Sequence, residues 1–216
     1  VTAFEDPELL SLPENFIPDA LSTCPDLVPF THYLENTLRM KAHTLSSEEE
    51  ALLSLTMDLD STPQSIFYMF NNADIQFESV TDKDGHEVGI SHGRFVPLLE
   101  SPDRDLRRKV FQSYYHSFNQ YKNTVAAIFA ANLKKELFYT KARHYTSSME
   151  AHLSQNNIPT AVYEQLIEAV HDALPEMYRY VRLRRKMLGV KELHMYDVYT
   201  PLVSGEHANI SFDEAM

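Results

Sequence analysis

The chain has 216 residues and is acidic, with a formal net charge of −12 and a pI near 5.2. An acidic chain repels nucleic acid and anionic membrane surfaces, so neither is an expected partner. The sequence has no run of about 18–20 apolar residues, which excludes a membrane-spanning helix. Its single cysteine, Cys24, excludes an internal disulfide and suits a reducing cytoplasm.

Short helical segments are predicted for the first 45 residues. Residues 1–24 are acidic and interrupted by Pro7, Pro13 and Pro18, a pattern typical of short helical turns and connections. From Pro25 to about Lys41 the apolar residues recur at the helical period. The pattern predicts an amphipathic helix, with Leu27, Phe30, Leu34 and Leu38 on one face.

Serine residues mark the starts of two further helices. Residues 46–50 contain two overlapping Ser-x-x-Glu capping boxes, which predict a helix start. We expect this helix to bury Leu52, Leu55 and Leu59, with Leu53 as a further candidate. Ser61-Thr62-Pro63 predicts a new start, followed by a short helix through Phe70.

The period changes from helical to alternating at about residues 74–91. Ile75 and Phe77 precede Asp84-Gly85, and Val88 and Ile90 follow it. Asp-Gly between alternating apolar residues is a strong hairpin signal, so the sequence predicts one small β-hairpin here. A lone two-stranded hairpin is marginal in water, and we therefore expect it to pack on helices.

A long helix is predicted to follow the hairpin. Residues 103–158 contain no glycine and no proline, and their apolar residues recur every three or four positions. Ser101 is the expected N-cap and Pro102 the expected first helical residue. If the helix runs from Asp103 to about Arg143, it is ~60 Å long at about 1.5 Å per residue. Such a length indicates a part of a large protein.

Helical patterns continue towards the C-terminus. Ser147 begins another capping box, and residues 156–159 interrupt the helical period. A helix is expected from Thr160, kinked or split at Pro175 and ended by Gly189, and residues 193–203 alternate as an extended segment does. The predicted fold is mainly α: multi-helical, with long antiparallel helices and the one small β-hairpin.

Two residue patterns superficially resemble metal sites. His86-Glu87 is followed by His92, but a zinc-peptidase motif needs two histidines four apart on a helix, so an exposed hairpin turn is favoured. Glu168 and His171 form a Glu-x-x-His pair of the kind that di-iron bundles use. Those sites need a second such pair and two more glutamates, which the sequence lacks.

Other candidate groups favour structural roles. Cys24 precedes a helix start, where a dipole can lower a thiol pKa, but a lone cysteine is more often inert. Asp58 and Asp60 are interpreted as solvated carboxylates, and the aromatic residues at helical spacing as packing or a wall: Tyr114, Tyr115, Phe118 and Tyr121. The sequence has no nucleophile elbow and no glycine-rich phosphate loop. From these patterns alone, the prediction is a mostly helical scaffold.

Longer runs of residues carry a resemblance. They lie in order along nearly the whole chain: Asn72-Ala73-Asp74-Ile75-Gln76-Phe77, Leu98-Leu99-Glu100-Ser101-Pro102-Asp103-Arg104, Tyr121-Lys122-Asn123-Thr124-Val125-Ala126, Asn157-Ile158-Pro159, and Glu192-Leu193-His194-Met195-Tyr196-Asp197-Val198-Tyr199. Together they closely resemble the N-terminal half of the oligoendopeptidase F family, bacterial zinc metallopeptidases of the thimet-oligopeptidase type.

The resemblance implies a helix-rich enzyme with a deep channel that admits oligopeptides. In that family a His-Glu-x-x-His helix and a downstream glutamate bind zinc, and the motif glutamate activates the attacking water. The motif is absent from these 216 residues. The resemblance therefore implies that zinc belongs to the parent enzyme, with its ligands beyond Met216, and no catalytic, cofactor-binding or metal residue is assigned in this chain.

The expected organisation is an N-terminal helical region with the hairpin (1–110), then long helices leading into a truncated catalytic domain (111–216). The chain starts at Val1 rather than Met and ends without tail character, so we expect a fragment that is inactive by itself. Its expected partners are oligopeptide substrates and the rest of its own catalytic domain, in the cytoplasm. The alternatives are a non-catalytic helical interaction module and, more weakly, a ferritin-like carboxylate metal protein.

Overall fold

The computed structural model describes residues 4–203. The chain forms two compact units, each built from two stretches of sequence. Among the described residues, the first unit comprises 4–73 together with Asn123–Gln165, and the second comprises Asp74–Lys122 together with 166–203. The division into domains 1–110 and 111–216 stays a prediction.

Helices dominate both units, and the mainly α fold class is confirmed. The helices before the hairpin are α1 (Glu5–Leu10), α2 (Phe16–Thr23), α3 (Thr31–Arg39), α4 (Ser47–Ser54), α5 (Met57–Asp60) and α6 (Thr62–Met69). The strands and later helices are β1 (Val80–Thr81), β2 (Glu87–Val88), α7 (His92–Leu99), α8 (Arg104–Gln120), α9 (Lys122–Ala142), α10 (Ser148–Ser154) and α11 (Thr160–Met187). None of the described helices is long and apolar enough to cross a membrane.

The helix predicted for Pro25–Lys41 is divided into three pieces. Pro25–Phe30 is a 3₁₀ helix, α3 follows, and Met40–His43 is again 3₁₀. Pro29 lies inside the first piece. Because proline has no N–H and its ring clashes with the preceding turn, an α-helix is disfavoured there.

The helix α4 begins as predicted but buries a different face. Ser46 is the N-cap, and its hydroxyl and the Glu49 side chain form the complete capping box. Leu53, the further candidate, is buried as expected, and Glu50, three positions before it on the same face, is buried with it. The predicted burial of Leu52, Leu55 and Leu59 is wrong, since these side chains are 65–76% exposed. The helix ends at Ser54 after about two turns, so the apolar period that continues past it belongs to no single helix face.

The prediction of one long helix from Asp103 to Arg143 is also wrong. Two helices occupy this stretch, α8 with 17 residues and α9 with 21. Tyr121 separates them with φ −104° and ψ 13°, and its N–H is directed to the carbonyls of Phe118 and Asn119, as in a tightened last turn. The two helices belong to different units, and the residue types at the junction give no break signal.

The start of α8 differs from the prediction by two residues. Asp103, not Ser101, is the N-cap, and its carboxylate accepts from the N–H groups of Asp105 (2.9 Å) and Leu106 (3.2 Å). Ser101 Oγ instead accepts from the Asp103 N–H at 3.2 Å. Pro102 therefore lies before the helix, and a carboxylate at the positive end of the helix dipole performs the capping.

The β-hairpin is confirmed, with strands of two residues each. Val80 pairs with Val88 and Thr81 with Glu87 in an antiparallel register. Gly85 in the turn has φ 86°, which only glycine adopts readily. The hairpin also packs on a helix as expected, since Lys109 Nζ of α8 donates to the Thr81 carbonyl at 3.0 Å.

The core of the second unit lies between the hairpin, α7 and α8. Leu99 and Val110 are fully enclosed, and Ile90 completes the buried centre. Aromatic residues surround it, with the Tyr114 ring stacked on Phe77 at 4.7 Å and on Phe95 at 4.0 Å between ring centroids. The interpretation of Tyr114 as packing is thus confirmed.

The C-terminal elements partly follow the prediction. α11 runs continuously through Pro175, so the proline does not split it. Gly189 has φ 65°, and the N–H groups of Gly189 and Val190 bond back to Lys186 and Arg185 as in a Schellman motif. The extended segment predicted for 193–203 is wrong for its middle, because Met195–Asp197 is a 3₁₀ helix.

Candidate functional site

The two histidines that superficially suggested a zinc motif have different environments. His86 lies at the hairpin turn, with Nδ1 3.4 Å from an Asp82 carboxylate oxygen. His92 is the first residue of α7, and its Nδ1 lies 2.8 Å from the Tyr114 hydroxyl within the aromatic cluster. Neither histidine lies on a helix that presents a second histidine four residues away, which the zinc motif requires.

Asp82, Asp84 and His86 bring potential ligand atoms within 4.8 Å of one another. Asp82 Oδ1 already accepts from the N–H groups of Asp84 and His86, both at 2.9 Å, and the His86 N–H is the main reason that the pKa of Asp82 is lowered. Asp84 and His86 are exposed on the turn, and Asp82 is half-buried. These residues do not fit a catalytic zinc site, which needs three fixed ligands and a sheltered open position.

The remaining sequence candidates do not converge on a site. Glu168 and His171 are exposed on α11, and no group of three potential ligands among residues 4–203 contains either. Cys24 is a half-buried free thiol before the 3₁₀ helix Pro25–Phe30. Asp58 is exposed, whereas Asp60 lies 3.4 Å from Lys135 Nζ.

Among the described residues, the most enclosed charged group is Asp197, which no sequence motif had indicated. It is 0% exposed, and its carboxylate accepts from Arg104 Nη2 at 2.9 Å and from Arg107 Nη2 at 2.8 Å. It also accepts from the His194 N–H at 3.0 Å, which caps the 3₁₀ helix. Burial by itself raises the pKa of Asp197, but the hydrogen bonds from Arg104 and Arg107 outweigh it and lower the pKa to about 2.

The arginines also bind the backbone around Asp197. Arg184 donates two hydrogen bonds to the Asp197 carbonyl, at 3.1 and 2.9 Å, and one to the Thr200 carbonyl. Arg107 donates to the Tyr196 carbonyl at 3.1 Å and to the Ser101 carbonyl at 2.7 Å. We name Asp197 with Arg104, Arg107 and Arg184 the Asp197 cluster. It holds residues 192–200 against α8 and α11, and the burial of Asp197, Arg107 and Arg184 indicates a structural role.

Sequence reasoning missed this cluster because its members are far apart in the chain. Arg107 and Asp197 are separated by 90 positions, and no spacing rule connects them. Two signals existed, since Arg104 and Tyr196-Asp197 both fall in the runs that carry the family resemblance. Neither run indicates that these groups meet.

A second ion pair lies in the first unit. The Arg143 guanidinium donates to both Glu50 oxygens, at 2.8 and 2.9 Å, and so joins the end of α9 to α4. His43 is stacked on Tyr145 with ring centroids 3.7 Å apart, and its Nδ1 lies 2.8 Å from the Arg143 carbonyl. Burial opposes ionisation of Glu50, but the bonds from Arg143 and the Leu45 N–H outweigh it, and the pKa of Glu50 is lowered.

An open groove of about 530 Å³ lies between α6 and α9 in the first unit. Its apolar lining consists of Pro63, Phe67, Val125, Ile128 and Phe129. At its polar end Lys135 Nζ lies 3.1 Å from Glu136, which in turn lies 2.8 Å from His152 Nε2. An apolar floor with a few polar groups is typical of a binding surface, and the lining residues include no nucleophile paired with a base.

Comparison with known families matches two parts of the chain. The family described as Oligopeptidase F matches residues 8–77, and the one described as Peptidase family M3 matches residues 97–216, more than half of the chain. The chain belongs to peptidase family M3. The resemblance to oligoendopeptidase F is thereby confirmed.

Individual relatives agree with the family assignment. The chain is 38% identical over 214 residues to oligopeptidase PepF of Bacillus subtilis and 39% identical over 214 residues to group B oligopeptidase PepB of Streptococcus agalactiae. Each match covers 99% of this chain but only 32% and 35% of those relatives. The chain therefore spans about a third of their length.

A solved structure supports the fold. The crystal structure of oligoendopeptidase-F from Enterococcus faecium superposes with a TM-score of 0.87 at 37% identity, over 94% of this chain and 40% of that one. A crystal structure described as a putative peptidase from Chlamydophila abortus gives 0.85 at 31% identity, over 94% of this chain and 34% of that one. The helical arrangement of this M3 chain is thus shared with solved peptidase structures.

Proposed function

We propose that this chain is part of a zinc-dependent oligoendopeptidase that hydrolyses oligopeptides inside a deep channel. The observation that carries the proposal is the match to oligopeptidase PepF, which extends over 99% of this chain at 38% identity. The M3 family match across α8 to α11 supports the same activity. Peptide hydrolysis, oligopeptide substrates and a cytoplasmic location are proposed for the whole protein of which these residues form a third.

The zinc site belongs, in this proposal, to the part of the relatives that this chain does not span. His-Glu-x-x-His is absent from the 216 residues, and the one group of three potential ligands in the described part of the chain does not fit catalytic zinc. No catalytic step is therefore assigned to a residue of this chain.

These residues contribute helical scaffold and channel wall. Large apolar side chains of α9 and α11 support this role, because Phe129 and Leu166 are exposed and an exposed apolar surface is typical of a face that contacts another part of a protein or a substrate. A rigid wall of helices limits access by size, so that flexible oligopeptides reach the metal and folded proteins do not.

The test uses the complete protein and residues 1–216 side by side. We expect the complete protein to bind zinc stoichiometrically, to cleave a quenched fluorescent oligopeptide, and to lose that activity in a chelator. Residues 1–216 alone should neither bind zinc stoichiometrically nor cleave the oligopeptide. Peptide turnover with stoichiometric zinc from residues 1–216 would contradict the placement of the site, and a complete protein that cleaves no oligopeptide would contradict the proposed activity.

A further inference from the structure

One side of α11 is apolar and exposed along four turns of the second unit. We define the apolar face of α11 by Leu166, Ile167, Val170, Met177, Tyr178 and Val181. These side chains are 38–60% exposed. At about 3.6 residues per turn they fall within roughly a third of the helix circumference. Charged residues, among them Glu168, Asp172 and Arg179, occupy the opposite side.

An apolar helix face of this width is typically packed against another part of a protein, which shields it from water. Helices in water obtain most of their stability from packing an amphipathic face, not from intrinsic propensity. Along this face only Leu174 is half-buried, while residues 166–173 are exposed without exception. A stripe wider than about 100° is typical of a helix that faces the core of a globular domain.

The width of the face also distinguishes a single partner helix from a larger packing surface. Val170, Met177 and their neighbours on the central seam alternate steps of three and four, as in a coiled coil. The flanking positions carry Leu166 and Tyr178, whereas a two-stranded coiled coil between two copies typically has charged residues there. The face is thus wider than a seam for a single partner helix.

The relatives are about three times as long as this chain, so the rest of such a protein could pack on the apolar face of α11. The chain spans 32% of PepF and 40% of the Enterococcus structure, so about two-thirds of such a protein lies outside it. We propose that the apolar face of α11 is the surface on which the remaining part of the same polypeptide packs, so that α11 is a core helix of the complete protein. This inference rests on the proposed function only for the existence of that remaining part.

Thiol accessibility in the complete protein tests the inference. In a background without native cysteines, V170C places a thiol at the centre of the apolar face, and D172C, two positions later, places one on the charged side. We expect V170C to react with a maleimide at least ~100-fold more slowly than D172C, because a buried thiol reacts only after local opening. Both should react equally fast in denaturant. M177C repeats the measurement on the same face.

The outcomes separate the inference from the proposed function. Equal native labelling of V170C, M177C and D172C in a protein that cleaves oligopeptides would overturn the inference alone. Protection that disappears on dilution, together with a dimeric mass, would instead identify a second copy as the cover. Protection that appears only after an oligopeptide is added would identify the substrate. A complete protein without peptidase activity contradicts the proposed function, whereas protection of V170C in that protein still supports the inference.

Discussion

Replacing Asp197 with asparagine should destabilise the second unit while preserving its shape. Asp197 is fully enclosed, and its partner Arg107 is only 3% exposed. In Asp197→Asn the amide keeps one acceptor oxygen but brings N–H donors towards guanidinium donors. The variant therefore leaves the Arg107 charge buried without its carboxylate.

The structure sets the size of the effect. The pKa of Asp197 falls from 3.8 to about 2, and each pKa unit corresponds to about 1.4 kcal/mol, so the ionised form contributes about 2 kcal/mol. Removing one partner of a buried ion pair costs about 3–5 kcal/mol in general. We expect Asp197→Asn to lower the free energy of unfolding by about 2–4 kcal/mol at pH 7, which lowers Tm by roughly 5–12 °C.

The pH dependence has a defined direction. Because the pKa of Asp197 is lower in the folded than in the unfolded protein, its contribution is complete above pH ~4 and is lost as the pH falls through about 2. The difference between wild type and Asp197→Asn should shrink across this range. Urea unfolding followed by circular dichroism, repeated at several pH values, measures it.

A surface carboxylate of α8 serves as the control for Asp197→Asn. Asp105 forms ion pairs with Arg108 and Lys109 on the surface of α8 and is 52% exposed, so Asp105→Asn should change stability little. Equal stability of Asp197→Asn and wild type at pH 7 would refute the view that the Asp197 cluster fixes residues 192–200.

Two further predictions concern the stability of each unit. Glu50→Gln should cost about 1–2 kcal/mol in thermal or urea unfolding, because Arg143 loses a charged bidentate partner that is largely shielded from water; unchanged stability would contradict this account of the α4–α9 contact. Gly189→Ala should cost about 1–2 kcal/mol, since Gly189 has φ 65°. The matched control is Gly93→Ala, in α7 with open space around it, which should be neutral or stabilise by up to about 1 kcal/mol. Equal effects of Gly189→Ala and Gly93→Ala would contradict the view that the positive φ of Gly189 is what makes its substitution costly.

Local signals identified most elements but not their extent. The capping serines Ser46 and Ser147 and the Asp84-Gly85 turn lie where the sequence places them, because each acts through hydrogen bonds or φ angles within a few residues. Tyr121 is different. A residue with ordinary helical propensity ends α8 there, and its sequence neighbours give no reason for the break.

The sequence predicted where helices form better than which of their side chains are buried. Leu52, Leu55 and Leu59 recur at helical spacing, yet they are exposed, and the buried pair is Leu53 with Glu50. Periodicity reports that a face exists, whereas contact with another element decides whether it is covered. The Asp197 cluster shows the same limit for charged groups, because its members come from α8, α11 and residues 192–200.

The sequence by itself determined the mainly α class, the hairpin at Asp84-Gly85 and the family, since these depend on local hydrogen bonding and on residues in fixed order. Only the tertiary structure decided that Tyr121 divides the long helical stretch between two units and that Asp197 is buried among three arginines. The physical reason is that burial and ion pairing are energies of contact between distant segments, and a contact over 90 residues leaves no local pattern.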